Sequence, residues 1–118
     1  MLSHWGRDRA QGRFDLGRLV RRQTLDTART VGLLDCGWVA PGYKADLNAI
    51  DTGRLRVLEP VMAADLPAGG RRLLQRAEGY EATIVSGVTV YRQGEATGAL
   101  PGLLVRGPQA VPAASIAA

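Results

Sequence analysis

The sequence predicts an α+β fold, short N-terminal helices followed by a partial β-sandwich of hairpins, and three observations carry that prediction. Apolar residues recur at three- and four-residue spacing from Leu16 to Val31, with capping residues at the ends of that stretch. From Tyr80 to Arg92 they alternate instead, across a two-residue Ser86-Gly87 turn. Between the two lies Gly37 to Asp51, where a Pro41-Gly42 turn is flanked by short apolar runs and helical patterning gives way to strands.

In chain order, Leu2 to Arg9 suits a short helix with Leu2 and Trp5 on its apolar side, closed by Gln11-Gly12-Arg13. Asp15 is placed as N-cap of a better helix, with Phe14 before it and Leu16, Leu19 and Val20 on one face. Arg18, Arg21 and Arg22 fall on the other face and read as solvated charge rather than a phosphate-binding stripe, since no aromatic or glycine-rich loop accompanies them. Thr24 caps a second helix carrying Leu25, Ala28 and Val31, and Gly32 stands where a left-handed residue ends it.

The stretch Gly37 to Asp51 is expected to be a hairpin, Trp38-Val39 pairing across the Pro-Gly turn with a strand that places Ala45, Leu47 and Ala49 on one face. Thr52-Gly53 turns, Leu55 to Leu58 is a short strand, and Pro60 confines the next residues to an edge or loop. Asp65 to Gly70 is an irregular bend, because its paired glycines lack the strand and helix of a phosphate-cradling loop. Leu73 to Ala77 is extended, and the Tyr80 to Arg92 hairpin stops at Gln93-Gly94. After a turn at Gly98 to Gly102 and a short apolar piece, Pro108 to Ala118 reads as a disordered tail. The organisation is therefore a helical segment 1–31, a β-rich segment 32–107 and a tail 108–118.

With 118 residues, 46% of them hydrophobic, the chain can form one modest core. Nothing approaches the ~20 apolar residues of a membrane span, and the basic start lacks the apolar centre of a signal peptide, so no membrane role and a cytoplasmic location are expected. Lone Cys36 excludes an internal disulfide. The net charge of +4 comes from fourteen arginines and Lys44 against eleven acids. Only six aromatics are present, mostly away from the arginines, which argues against a nucleic-acid surface.

Chemistry is hard to find among these residues. A zinc site needs three or four convergent ligands, and a triad needs a histidine beside a nucleophile. His4 is the only histidine, and no cysteine or carboxylate pair is spaced to join it. Cys36 has no CxxC partner. Asp46, in an apolar strand, is expected to take the backbone N–H groups of the preceding Pro-Gly turn. Asp51 reads as a turn-former, while Glu59, Glu78, Glu81 and Glu95 are scattered. No catalytic, cofactor-binding or metal-binding residue is assigned.

The pattern Thr24, Ala28, Gly32, Leu33, then Gly37, Pro41, Gly42, Ala45, Asp46, Leu47 resembles the segment in which metal-dependent amidohydrolases leave their (β/α)8 barrel and enter a small β-sandwich. Thr27 stands where those proteins usually carry proline. The flanks, His4-Trp5 with Arg7-Asp8-Arg9, Asp65 to Arg72, Gly79-Tyr80 and Thr97 to Gly102, are similar to the C-terminal portion of the N-acyl-D-amino-acid deacylases (D-aminoacylases), over nearly all of Leu2 to Gly107.

The resemblance implies hydrolysis of a non-peptide C–N bond by a zinc-activated water, with ligands and a general-base aspartate from the barrel. Those positions would precede Met1, so the chain is expected to be inactive alone. Its helices would correspond to the last ones around the barrel. Its partner would be the missing or separately encoded barrel portion, and open edges and apolar surface would favour self-association. The alternative is a small basic binding module with a sandwich-like fold.

Overall fold

The computed structural model describes residues 1–113. It begins with a single π-helical turn, His4–Asp8, followed by α1 (Leu16–Gln23) and α2 (Leu25–Thr30). Asp15 caps α1 as expected, its Oδ1 accepting the Arg18 N–H at 2.9 Å. Thr24 makes no side-chain cap; its hydroxyl donates instead to the Val20 carbonyl at 2.9 Å, closing α1 rather than opening α2. At the end of α2, Leu33 N–H reaches the Ala28 carbonyl and Gly32 N–H the Arg29 carbonyl, the paired bonds of a Schellman ending.

Beyond these helices the described residues form eight strands: β1 (Leu47–Ile50), β2 (Arg56–Val57), β3 (Val61–Ala63), β4 (Arg72–Leu74), β5 (Ala77–Glu78), β6 (Tyr80–Val85), β7 (Val88–Arg92) and β8 (Glu95–Ala96). They form one four-stranded sheet in the order β1-β6-β7-β8 and two ribbons, β2-β5 and β3-β4, all with antiparallel pairing. The α+β expectation is met.

The β6–β7 hairpin turns at Ser86-Gly87, both at positive φ (49° and 81°), as a type I′ turn requires. Gln93-Gly94 repeats that geometry, so the hairpin does not stop there but continues into β8.

The first expected hairpin is not formed. Trp38-Val39 is irregular, and β1 pairs with β6, more than thirty residues on, in the register Leu47 opposite Ile84. The Pro41-Gly42 turn itself is present, closed by the Tyr43 N–H on the Ala40 carbonyl at 3.1 Å. A two-residue strand offers at most one narrow pair of ladder bonds, whereas β6 offers a full edge, and the longer ladder wins. Leu103 to Arg106 is likewise irregular, and Leu103 and Leu104 are exposed. Of the expected tail, 114–118 lies outside the described residues, while Gln109 bridges in parallel to Leu33, its N–H on the Gly32 carbonyl at 2.8 Å.

The loop after β1 is tied down at one crowded point. Gly79 has φ 91°, and a Cβ there would stand 2.7 Å from Leu55 Cα and 2.9 Å from the Asp51 carbonyl oxygen. Only glycine lets the two backbones approach this closely. Among the described residues just three apolar side chains are buried, Leu55, Leu19 and Ala28.

So small a core leaves the fold open. The radius of gyration is 17.1 Å, against about 13.5 Å for a compact domain of this length. The accessible surface is 9104 Å², against roughly 6,200 Å² for a folded monomer of this mass. The helices pack on each other and the strands on neighbouring strands, with only slight contact between the two groups.

Candidate functional site

Where helices and sheet fail to close on each other, the chain leaves a cleft of about 970 Å³. One wall is the apolar face of α1, with Leu16 and Val20; the other is β1 and β6, with Leu47, Ile50 and Tyr80. The irregular Trp38-Val39 segment borders it, Trp38 half exposed and Val39 80% exposed. The spacing that made these residues a core face is genuine, because Leu19 on the same helix is buried against Gly6. The rest of that face, Leu16 and Val20, stays open to the cleft.

Beside the cleft and sharing Gly17 and Arg21 with it is a second concavity of about 440 Å³, lined also by Arg18, Arg22 and Asp26. Arg21 Nε donates to Asp26 Oδ1 at 3.1 Å. The Arg18 guanidinium lies 5.9 Å from the Phe14 ring centre, near the limit of a cation–π contact. Among the described residues Arg18, Arg22 and Arg29 make no salt bridge.

The residues weighed for chemistry are scattered. His4 packs edge-on against Trp5, ring centres 5.4 Å apart. Cys36 is half-buried; burial pushes its thiol up, with Asp35 and Asp46 adding to the effect against Lys44. An upward-shifted thiol is the opposite of an activated nucleophile.

Asp46 is satisfied, but not by the turn that precedes it. Its Oδ1 accepts the Ser86 N–H of the β6–β7 turn at 2.8 Å, and its Oδ2 pairs with Lys44 Nζ at 2.8 Å. Burial pushes this carboxyl up, yet the Lys44 and Ser86 hydrogen bonds and the Lys44 charge outweigh it and leave the pKa lowered. The strand pairing is the reason for the change of partner: β1 runs beside the β6–β7 turn, so that turn's free N–H is the nearer donor. Asp51 forms the expected turn, accepting from Gly53 and Arg54 N–H. Glu78 accepts from Arg56 Nε and Nη2, at 2.7 and 3.0 Å, and Glu81 pairs with Arg54.

Among the described residues no three His, Cys, Asp or Glu side chains converge to hold a metal ion. The donor set therefore does not fit the zinc implied by the resemblance. No described helix is long and apolar enough to cross a membrane.

One anchoring residue has almost no signature in the sequence. Arg7 reaches the backbone carbonyls of Thr52, Gly53 and Leu55 and joins the first turn to the β1–β2 loop. The only local signal is the Arg7-Asp8 adjacency, which fixes the guanidinium through Asp8 Oδ1 at 2.6 Å.

A family model described as "Amidohydrolase family" matches residues 1–91. No curated protein and no solved structure matches the chain.

Proposed function

From the premise that this chain belongs to the amidohydrolase family, we propose that it is the C-terminal scaffold segment of a zinc-dependent hydrolase of non-peptide amide bonds, of the N-acyl-D-amino-acid deacylase kind. In this reading the reacting groups belong to a barrel portion outside these residues, and the chain is inactive alone. One observation carries it: the apolar cleft between α1 and the β1–β6 edge, a half-built core whose other half is not among the described residues. The deacylase specificity draws on the motifs His4-Trp5, Asp65 to Arg72 and Thr97 to Gly102.

The scaffold role asks little of individual side chains beyond shape. Gly79, Asp46 and Arg7 hold the loop, the sheet edge and the first helical turn in register. The alternative, a free-standing basic module, draws on Arg18, Arg21 and Arg22, which do cluster. Against it, the aromatic rings nearest these arginines are already engaged, Phe14 and Trp5 packing on each other with ring centres 5.7 Å apart.

The test is co-expression with the reading frame immediately upstream, which on this reading encodes the barrel. Co-purification, with hydrolysis of N-acyl-D-amino acids by the pair, is expected. An upstream frame encoding an unrelated protein, or a barrel that is fully active and never binds this chain, would contradict the reading.

A further inference from the structure

We propose that Pro108 to Ala113 is a releasable strap, a peptide ligand that the chain carries for a site of its own. The seat runs from Gly32 to Gly42 and takes an extended segment with prolines four residues apart. Its occupancy holds the loop that brings Trp38 to the cleft. The proposal does not depend on the scaffold reading, and the strap lies beyond the matched residues 1–91.

The seat engages the strap mainly through backbone. Gln109 N–H donates to the Gly32 carbonyl at 2.8 Å and the Gln109 carbonyl accepts the Leu34 N–H at 3.2 Å, so one strap residue satisfies two groups of the chain leaving α2. Strand addition of this kind gives affinity without reading side chains. Selectivity comes from the flanks. A Cβ at Gly32 would stand 3.1 Å from Pro108 Cβ, and one at Gly42 would stand 3.2 Å from Pro112 Cβ and 3.5 Å from the Ala113 carbonyl oxygen. Both prolines therefore lie where the seat presents only hydrogen. The Gln109 side chain turns back on the Gly107 and Pro108 carbonyls, at 3.2 Å each, and makes no hydrogen bond to the seat.

Position gives the strap a consequence. Gly32 and Gly42 bracket the loop that carries Trp38 and Val39, both of which border the cleft. The Lys44 N–H on the Asp35 carbonyl, at 2.8 Å, closes the neck of that loop independently. Departure of the strap therefore loosens the loop without unfolding it.

Release is favoured by what precedes the strap. Between β8 and Pro108 the chain is irregular, and Leu100, Leu103 and Leu104 are exposed. Among the described residues none from Leu100 to Arg106 makes a backbone hydrogen bond. The strap can thus leave while β6, β7 and β8 stay paired, as a local opening. So short a linker keeps the strap at a millimolar effective concentration, and a free peptide competes only at comparable levels.

The experiment uses the full chain. Gln109→Pro removes the strap's N–H donor and keeps the backbone extended, whereas Gln109→Ala keeps the donor. Hydrogen exchange followed residue by residue is expected to show the Leu34 amide exchanging roughly tenfold faster in Gln109→Pro than in the parent or in Gln109→Ala, with the β6 and β7 amides unchanged. A synthetic peptide Gly-Pro-Gln-Ala-Val-Pro-Ala, titrated to millimolar concentration, should shift the Leu34 and Trp38 resonances of Gln109→Pro. It should shift those of the parent several-fold less, because the parent's own strap competes. The same peptide N-methylated at its glutamine should shift neither.

Unchanged Leu34 exchange in Gln109→Pro would overturn the strap's role. An equal response to the peptide in parent and variant, or no response in either, would overturn the site. Loss of β6 and β7 protection in Gln109→Pro would make the segment an integral part of the fold and end the claim that it is releasable. Leu34 protection in the parent that grows with protein concentration would seat the strap on a second copy and contradict the assignment within one chain.

Discussion

Arg7 and Leu55, 48 residues apart, are joined by a hydrogen bond of 2.9 Å from Nη2 to the Leu55 carbonyl, and this contact ties the first helical turn to the loop that carries a core residue. The same guanidinium also donates to the Gly53 carbonyl at 3.0 Å, while Asp8 holds its Nε. A planar fork of donors is what three backbone acceptors and one carboxylate require. Arg7→Lys keeps the charge and loses the fork. Its melting temperature should fall by nearly as much as that of Arg7→Ala, and limited trypsin digestion at Arg54 should become faster in both variants.

Gly79 and Gly94 have similar positive φ, 91° and 84°, but different surroundings. At Gly94 nothing lies within 4 Å of an added Cβ, so Gly94→Ala meets only backbone strain, about 1 kcal/mol. At Gly79 the Cβ would collide with Leu55 and with the Asp51 carbonyl as well, and Gly79→Ala should cost more than about 2 kcal/mol. Urea denaturation of the two variants provides the comparison.

Acid should loosen the junction between β1 and the β6–β7 turn. Asp46 has a pKa below its usual 3.8, and a carboxylate depressed in the folded state stabilises it fully above the unfolded value. That contribution is lost as pH falls below 3.8 and through the folded value, because the unfolded chain takes up the proton first. Asp65, held by Arg72, and Glu78, held by Arg56, act with the same sign. Thermal melts from pH 6 to pH 2 should show a falling midpoint at the acid end. Asp46→Asn should be less stable than the parent near neutral pH and show a smaller acid-dependent fall.

Exposed apolar residues outside the core should drive association rather than stability. Val39 is 80% exposed and Leu104 77%, so Val39→Ser with Leu104→Ser should change the unfolding free energy by no more than about 0.5 kcal/mol for each site. Light scattering should show less concentration-dependent association and a lower dye-binding signal than the parent chain.

Local signals proved readable where a few neighbouring residues decide the outcome. Asp15 caps α1, Gly32 ends α2, and Ser86-Gly87 turns the β6–β7 hairpin because each conformation depends on side chains within one turn. Partner choice across distance was not readable. The Trp38-Val39 run has strand composition, yet β1 chooses β6, and with that choice Asp46 moves from its own turn to Ser86. Composition also could not show that the α1 face would stay open, since Leu16 and Val20 have the same spacing whether their partner lies within the chain or outside it.

On the scaffold reading proposed above, the zinc ligands and the general base lie outside these residues. Purified chain, loaded with zinc and dialysed, should be assayed for bound metal and for turnover of N-acetyl-D-amino acids. Neither stoichiometric zinc nor hydrolysis above the buffer rate is expected; one tightly held zinc per chain with measurable turnover would overturn the scaffold reading.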